Sequence, residues 1–250
     1  AQDLTNLQAK IRGITIVTPT VIASLRDTET TASLLTATGT TAGIIALGDN
    51  LGVYKLDSLG QAWLPQITSN GPLSRLESST TLGADVIVVD ATQQLGRLDL
   101  TALTMNTITS GTNGMASVED ITSYNDALYA LTAVGQQIVK MRPQAPNFEA
   151  GTAWISARTS DLTTARALAI DSDVYILLAN NIVKFTSGRE QDWQPATIDP
   201  QLSNPIDLWT SFESPYLYVL DPGEKRIIVI AKDTGAIVAQ YVADAFIGAV

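Results

Sequence analysis

The sequence predicts an all-β chain, a β-propeller of six short antiparallel blades, on three observations. Four short segments share an apolar-x-cation-apolar core, and their third positions, continued to a fifth segment, are separated by 42, 43, 44 and 45 residues. Each segment follows a second apolar run across a tight polar turn. Only 16% of the 250 residues are charged, and Thr, Ser, Ala and Asn fill the difference, a composition suited to strands and turns rather than long surface helices. A strand-turn-strand repeat of about forty residues is what a propeller blade looks like in sequence.

The repeated segments are Val53-Tyr54-Lys55-Leu56, Leu95-Gly96-Arg97-Leu98, Ile138-Val139-Lys140-Met141 and Ile182-Val183-Lys184-Phe185. Ile227-Ile228-Val229-Ile230 keeps the strand without the cation. The preceding turns hold Gly48-Asp49-Asn50, Asp90-Ala91-Thr92, Ala133-Val134-Gly135, Asn180-Asn181 and Asp221-Pro222-Gly223. Gly and Asn tolerate positive φ, Pro fixes φ, and Asp bonds its own downstream backbone, so these are turn residues for steric reasons. Side chains alternate along a strand, so Lys55, Arg97, Lys140 and Lys184 point away from the face of their immediate apolar neighbours. That is ordinary strand chemistry; the other reading is a spoke of positive charge that meets acceptors between blades.

Weaker strands flank each hairpin. Residues 165–171, 174–179, 182–186 and 191–196 form the clearest set of four. A second set is 204–210, 217–220, 226–231 and 236–242, with Lys232-Asp233-Thr234-Gly235 as its last turn. Blade-like units are expected near 41–73, 74–114, 115–160, 161–202 and 203–243, all in one domain. A sixth, composite blade is expected from 11–25 and 245–250, because pairing the chain ends removes exposed strand edges. Residues 3–10 read as a short helical segment.

Composition excludes several function classes. A net charge of −10 and a pI near 4.4 repel a phosphate backbone, so nucleic acid is not an expected partner. No window supplies the apolar run of a membrane span, so no direct membrane insertion is expected. The chain has no Cys and no His, which removes disulfides, thiolate nucleophiles, Ser-His-Asp triads and the usual zinc sites.

The stretch from Tyr216 to Ile230, in which an apolar strand ends in Asp221, a short turn follows and Arg226 opens the next strand before Asp233-Thr234-Gly235, resembles an NHL-type repeat. Ala169-Ile170-Asp171-Ser172-Asp173-Val174-Tyr175-Ile176-Leu177 is similar to the inner pair of a neighbouring blade. The likeness covers about the last 80 residues; 128–141 lacks the Asp-turn-Arg triplet and the first forty or so match nothing. The resemblance implies a propeller that serves as a platform for a protein, peptide or glycan. Some relatives are calcium-dependent hydrolases of lactonase-like type, and others resemble sensor domains held outside the membrane by bacterial signalling proteins.

Polar residues on or beside the innermost strands are the expected ligand-binding set: Arg75, Glu77, Glu119, Asp120, Arg166, Asp171 and Asp207. Convergent carboxylates among them are a possible calcium site, since calcium takes six to eight oxygens; no other cofactor is expected. No catalytic motif stands out. Gly111-Thr112-Asn113-Gly114 lacks the following Lys and helix of a phosphate loop and reads as a connector. Trp63, Trp154, Trp193 and Trp209 sit near strand ends, where aromatics either seal the gaps between blades or form a binding platform. The expectation is therefore a non-enzymatic binding or sensor module, extracytoplasmic or at the cell surface. The alternatives are a calcium-dependent hydrolase using channel carboxylates and a self-associating structural subunit.

Overall fold

The computed structural model describes residues 12–28, 33–40, 43–67, 73–102, 104–109, 115 and 117–248. The helical segment expected at 3–10, the connector at 111–114 and the last two residues of the chain lie outside them. By contact density the chain forms two compact units, Thr20–Trp154 and Ala1–Pro19 with Ile155–Ala249.

The first unit holds three four-stranded antiparallel sheets in meander order. They comprise Leu34–Thr40, Gly43–Gly48, Val53–Leu56 and Trp63–Ile67; then Leu76–Leu82, Asp85–Asp90, Leu95–Asp99 and Thr104–Thr107; then Val118–Tyr124, Ala127–Thr132, Gln137–Met141 and Thr152–Ala153. A small hairpin, Pro143–Gln144 with Asn147–Phe148, is inserted before the last of these strands. The second sheet is buried on both faces, which is why its second strand reads as the unbroken apolar run 86–89. Ile87 and Val89 pack towards Ile121, Leu128 and Val139 of the third sheet, while Val86 and Val88 pack towards Ile45, Leu47 and Val53 of the first. The remaining face of the first sheet, with Ala46, Tyr54 and Trp63, is covered by Leu25 from a single 3-10 turn, Leu25–Asp27.

The second unit holds two sheets. One is Ala165–Ile170, Val174–Leu178, Ile182–Thr186 and Arg189–Glu190; the other is Asp207–Trp209, Tyr216–Asp221, Arg226–Ala231 and Ile237–Val242. Their facing sides, including Ala167, Tyr175 and Leu177 on one and Leu208, Leu217, Val219 and Ile228 on the other, form one core. The strand expected at 191–196 is instead the shorter Arg189–Glu190. The backbone continues to Gln191, whose N–H donates to Lys184 O at 2.9 Å, and then leaves the ladder as Trp193 turns onto Tyr175.

Five sheets of four or more strands are present among the described residues where six blades were expected. The chain ends do pair, but not in a blade of their own. Ile14–Ile16 lies parallel to Ile237–Val242, in register Ile14 to Gln240, as a fifth strand on the last sheet. Residues 17–24 are irregular, and Asp244–Gly248 is a 3-10 turn, so neither segment supplies strands for another sheet.

All five repeated segments lie on the third strand of their sheets, as the spacing predicts. Three of the four cations are held by groups within the fold. Lys184 ion-pairs with Asp173 at 2.8 Å and lies 5.5 Å from the ring centroid of Tyr175, its cross-strand partner. Lys140 stands 5.1 Å from the ring of Tyr129, again directly across the ladder. Arg97 reaches Asp85 of its own sheet at 3.6 Å and lies over Phe148 of the next.

A carboxylate at the end of the second strand staples the loop that leads into the first. Asp49 accepts from Ser33 N–H, Asp90 from Ser74 N–H, and Asp221 from Ser203 and Asn204 N–H. Asp90 is fully buried, which opposes its charge. The N–H groups of Ser74 and Gln94 and the Thr92 hydroxyl outweigh that, and its pKa lies below the ordinary carboxylate range.

Candidate functional site

In the first two strands of the last sheet burial alternates strictly. Along Tyr216–Asp221, Leu217, Val219 and Asp221 are buried while Tyr216, Tyr218 and Leu220 are half open; along Asp207–Trp209, only Leu208 is buried. Side chains two apart share a face, so Asp207, Trp209, Tyr216, Tyr218 and Leu220 all stand on the side opposite the core. The ladder sets Asp207 across from Leu220 and Trp209 across from Tyr218.

This face is aromatic. The rings of Trp209 and Tyr218 have centroids 5.6 Å apart, tilted at 52°, and Tyr216 meets Tyr218 edge-on at 6.5 Å. Trp209 is 56% exposed and Phe212, just beyond the strand, 75%. Large aromatics normally bury most of their surface, and Trp209 and Phe212 do not. Tyr216 also lines an open cleft of about 600 Å³ with Pro215, Lys232, Asp233, Thr234 and Val238.

Asp207 carries the polar end of the row. Its Oδ1 accepts the Leu208 N–H at 2.7 Å, and no cation lies within ion-pair distance of it among the described residues. The carboxyl is wetted on one side and crowded by protein on the other. That desolvation pushes its pKa above the ordinary value, with the Leu208 N–H opposing.

The other expected site residues are distributed as follows. Arg75 and Glu77 are exposed and pair with each other at 3.2 Å. Glu119 is exposed, while Asp120 accepts the Ser78 hydroxyl at 2.7 Å and joins the first strands of the second and third sheets. Arg166 donates to Asn204 Oδ1 at 2.9 Å and Pro205 O at 2.8 Å, bracing the entry to the last sheet. Asp171 is 4% exposed and receives the Lys232 ammonium, which also donates to Ser211 O at 3.0 Å. Burial opposes its charge, but Lys232 and the N–H groups of Ser172 and Asp173 hold its pKa below the ordinary range. Asp120, Arg166 and Asp171 thus tie one sheet to the next, whereas Arg75 pairs locally with Glu77. No group of three Asp or Glu stands at metal-binding distance among the described residues.

A second concavity of about 390 Å³ lies beside Glu190 and Trp193. Glu190 is occupied by the N–H groups of Thr159 and Ser160 and the Ser160 hydroxyl, and Trp193 Nε1 is buried without a hydrogen-bond partner among the described residues. The tryptophans thus divide: Trp63 is core, Trp154 meets Tyr129 at 6.2 Å, Trp193 meets Tyr175 at 5.6 Å, and Trp209 faces solvent.

No protein-family model matches the chain, and no curated protein matches it. Solved structures do. YCF48 bound to D1 peptide matches over 84% of this chain and 66% of its own, at TM-score 0.56 and 15% identity. Virginiamycin B lyase from Staphylococcus aureus matches over 84% and 70%, at 0.60 and 14%. A nidogen/laminin complex matches over 81% and 76%, at 0.57 and 12%. The likeness shows the fold, a β-propeller. No helix among the described residues is long and apolar enough to cross a membrane.

Proposed function

We propose that this chain is a non-enzymatic binding propeller that holds a segment of a partner polypeptide. The observation that carries the reading is the solvent-facing row of Trp209, Tyr218 and Tyr216 on a sheet whose other face is fully packed. Exposed aromatics set on a rigid sheet are the residues that dominate binding energy at protein interfaces. Two similar structures hold a peptide or protein partner, YCF48 with D1 peptide and nidogen with laminin. The similar lyase has a catalytically inactive alanine-for-histidine variant, and this chain contains no histidine at all.

The NHL-type kinship of the last sheet, a sensor role within a larger bacterial protein and an extracytoplasmic location belong to the same proposal and rest on the sequence resemblance. The test is selection of peptides from a random display library on the immobilised chain. Trp209→Ala is expected to weaken the selected peptides by about tenfold or more. Selected peptides that bind the variant as tightly as the parent overturn the reading.

A further inference from the structure

We propose that the face of the last sheet receives a lysine or arginine side chain from an extended segment of the partner, its charge held between the Asp207 carboxylate and the Trp209 and Tyr218 rings. This deepens the polypeptide-binding reading and rests on it.

The chain contains its own precedent. In the fourth sheet Asp173 and Tyr175 are two residues apart, on one face, and Lys184 fills the pair: Nζ lies 2.8 Å from Asp173 and 5.5 Å from the Tyr175 ring. In the last sheet Asp207 and Trp209 have the same spacing at the start of a strand, the first of its sheet where the other is the second, and no cation pairs with Asp207 among the described residues. The cross-strand position that gives Lys184 to Tyr175 gives a second ring, Tyr218, to Trp209. The pair therefore has one more aromatic wall and lacks a resident charge.

Three further facts fit a cationic occupant. Lys140 over Tyr129 and Arg97 over Phe148 show that rings in this fold regularly lie against cations. Trp is the strongest of the three aromatic faces for this interaction, and Arg also stacks flat on it. The net charge of −10, with Glu213 next to exposed Phe212 and Asp233 on the cleft beside Tyr216, steers a basic segment towards the chain and disfavours an acidic one. The neighbouring cations are engaged elsewhere: Lys232 with Asp171, Lys225 with Asp244 and Arg166 with Asn204.

The test uses two fluorescein-labelled peptides of alternating glycine and arginine or alternating glycine and glutamine, with binding to the whole chain read by fluorescence polarisation. The arginine peptide is expected to bind about tenfold tighter. Asp207→Asn and Trp209→Ala are each expected to weaken it about fivefold or more. Asp192→Asn, which removes the same charge from an exposed position in the loop after the fourth sheet, is expected to leave it unchanged within about twofold.

Equal affinity for the two peptides, no binding of the arginine peptide, or equal losses from Asp207→Asn and Asp192→Asn would each overturn the inference. Trp209-dependent binding of the glutamine peptide at equal affinity overturns it while leaving the polypeptide-binding reading standing. Indifference of every bound peptide to Trp209→Ala removes both.

Discussion

Arg226 closes on Asp221 across the turn between them: its Nε and Nη2 reach one carboxylate oxygen at 3.0 and 2.9 Å, and neither side chain is more than 1% exposed. Nη1 also donates to Gln240 Oε1 at 2.6 Å, and Nη2 to the carbonyls of Pro200 and Gln201. Gln240 in turn donates to Arg12 O and Asp199 O, so one guanidinium ties the turn, the preceding loop and the last antiparallel strand together. Arg226→Met removes one partner and leaves a buried carboxylate without its countercharge. It is expected to cost about 3–5 kcal/mol in urea unfolding; a loss under about 1 kcal/mol would contradict the role given to the pair.

Asp171 governs part of the acid response. Its folded pKa is depressed relative to the unfolded chain, where it is near 4. The stability it contributes is therefore complete above that value and is lost as pH falls through the lower, folded one. Asp171→Asn is expected to lower the melting temperature at neutral pH and to flatten its fall towards acid, leaving the same-signed contributions of Asp90 and Glu190. Asp207 has the opposite sign. Its raised pKa means that folding disfavours the charged form at neutral pH, so Asp207→Asn is expected to be neutral or stabilising. Melting curves across the acid range read both; a steeper acid fall in Asp171→Asn would refute the first assignment.

Gly235 and Gly83 both have positive φ, at +71° and +62°, but different surroundings. A Cβ on Gly235 would lie 2.2 Å from Gln194 O, where Ala196 N–H also donates to Gly235 O, whereas a Cβ on Gly83 meets nothing within 4 Å. Gly83→Ala is expected to cost about 1 kcal/mol from backbone strain alone, and Gly235→Ala more than about 3 kcal/mol because backbone must also move. Equal melting temperatures for the two variants would refute the close approach.

Much of this architecture was readable in the residues. The apolar-x-cation-apolar segments mark the third strand of four of the five large sheets because alternation puts one polar side chain between buried neighbours. The Asp-turn-Arg triplet at 221–226 marks the most deeply buried ion pair among the described residues. The sixth blade failed for a physical reason: Ile14–Ile16 is too short to found a sheet, and its parallel partner lies over two hundred residues away, a pairing that no local pattern encodes. The expected polar set was read as lining a channel, whereas Asp171 and Arg166 spend their charge on neighbouring strands. Whether a strand tryptophan is covered depends on what stands opposite its sheet, so Trp209 could not be told from Trp63. The spacing shared by Asp173-x-Tyr175 and Asp207-x-Trp209 was visible, and its meaning depended on finding Lys184 on one and nothing on the other.

The parallel pairing of Ile14–Ile16 with Gln240–Val242 sets an order of assembly. As the chain emerges from the ribosome, four sheets complete themselves from contiguous sequence, and nascent domains fold as they appear. The strand at 14–16 must wait with its edge unmatched until residues 240–242 have been made. A chain cut short before residue 240 therefore leaves Ile14–Ile16 without its partner as well.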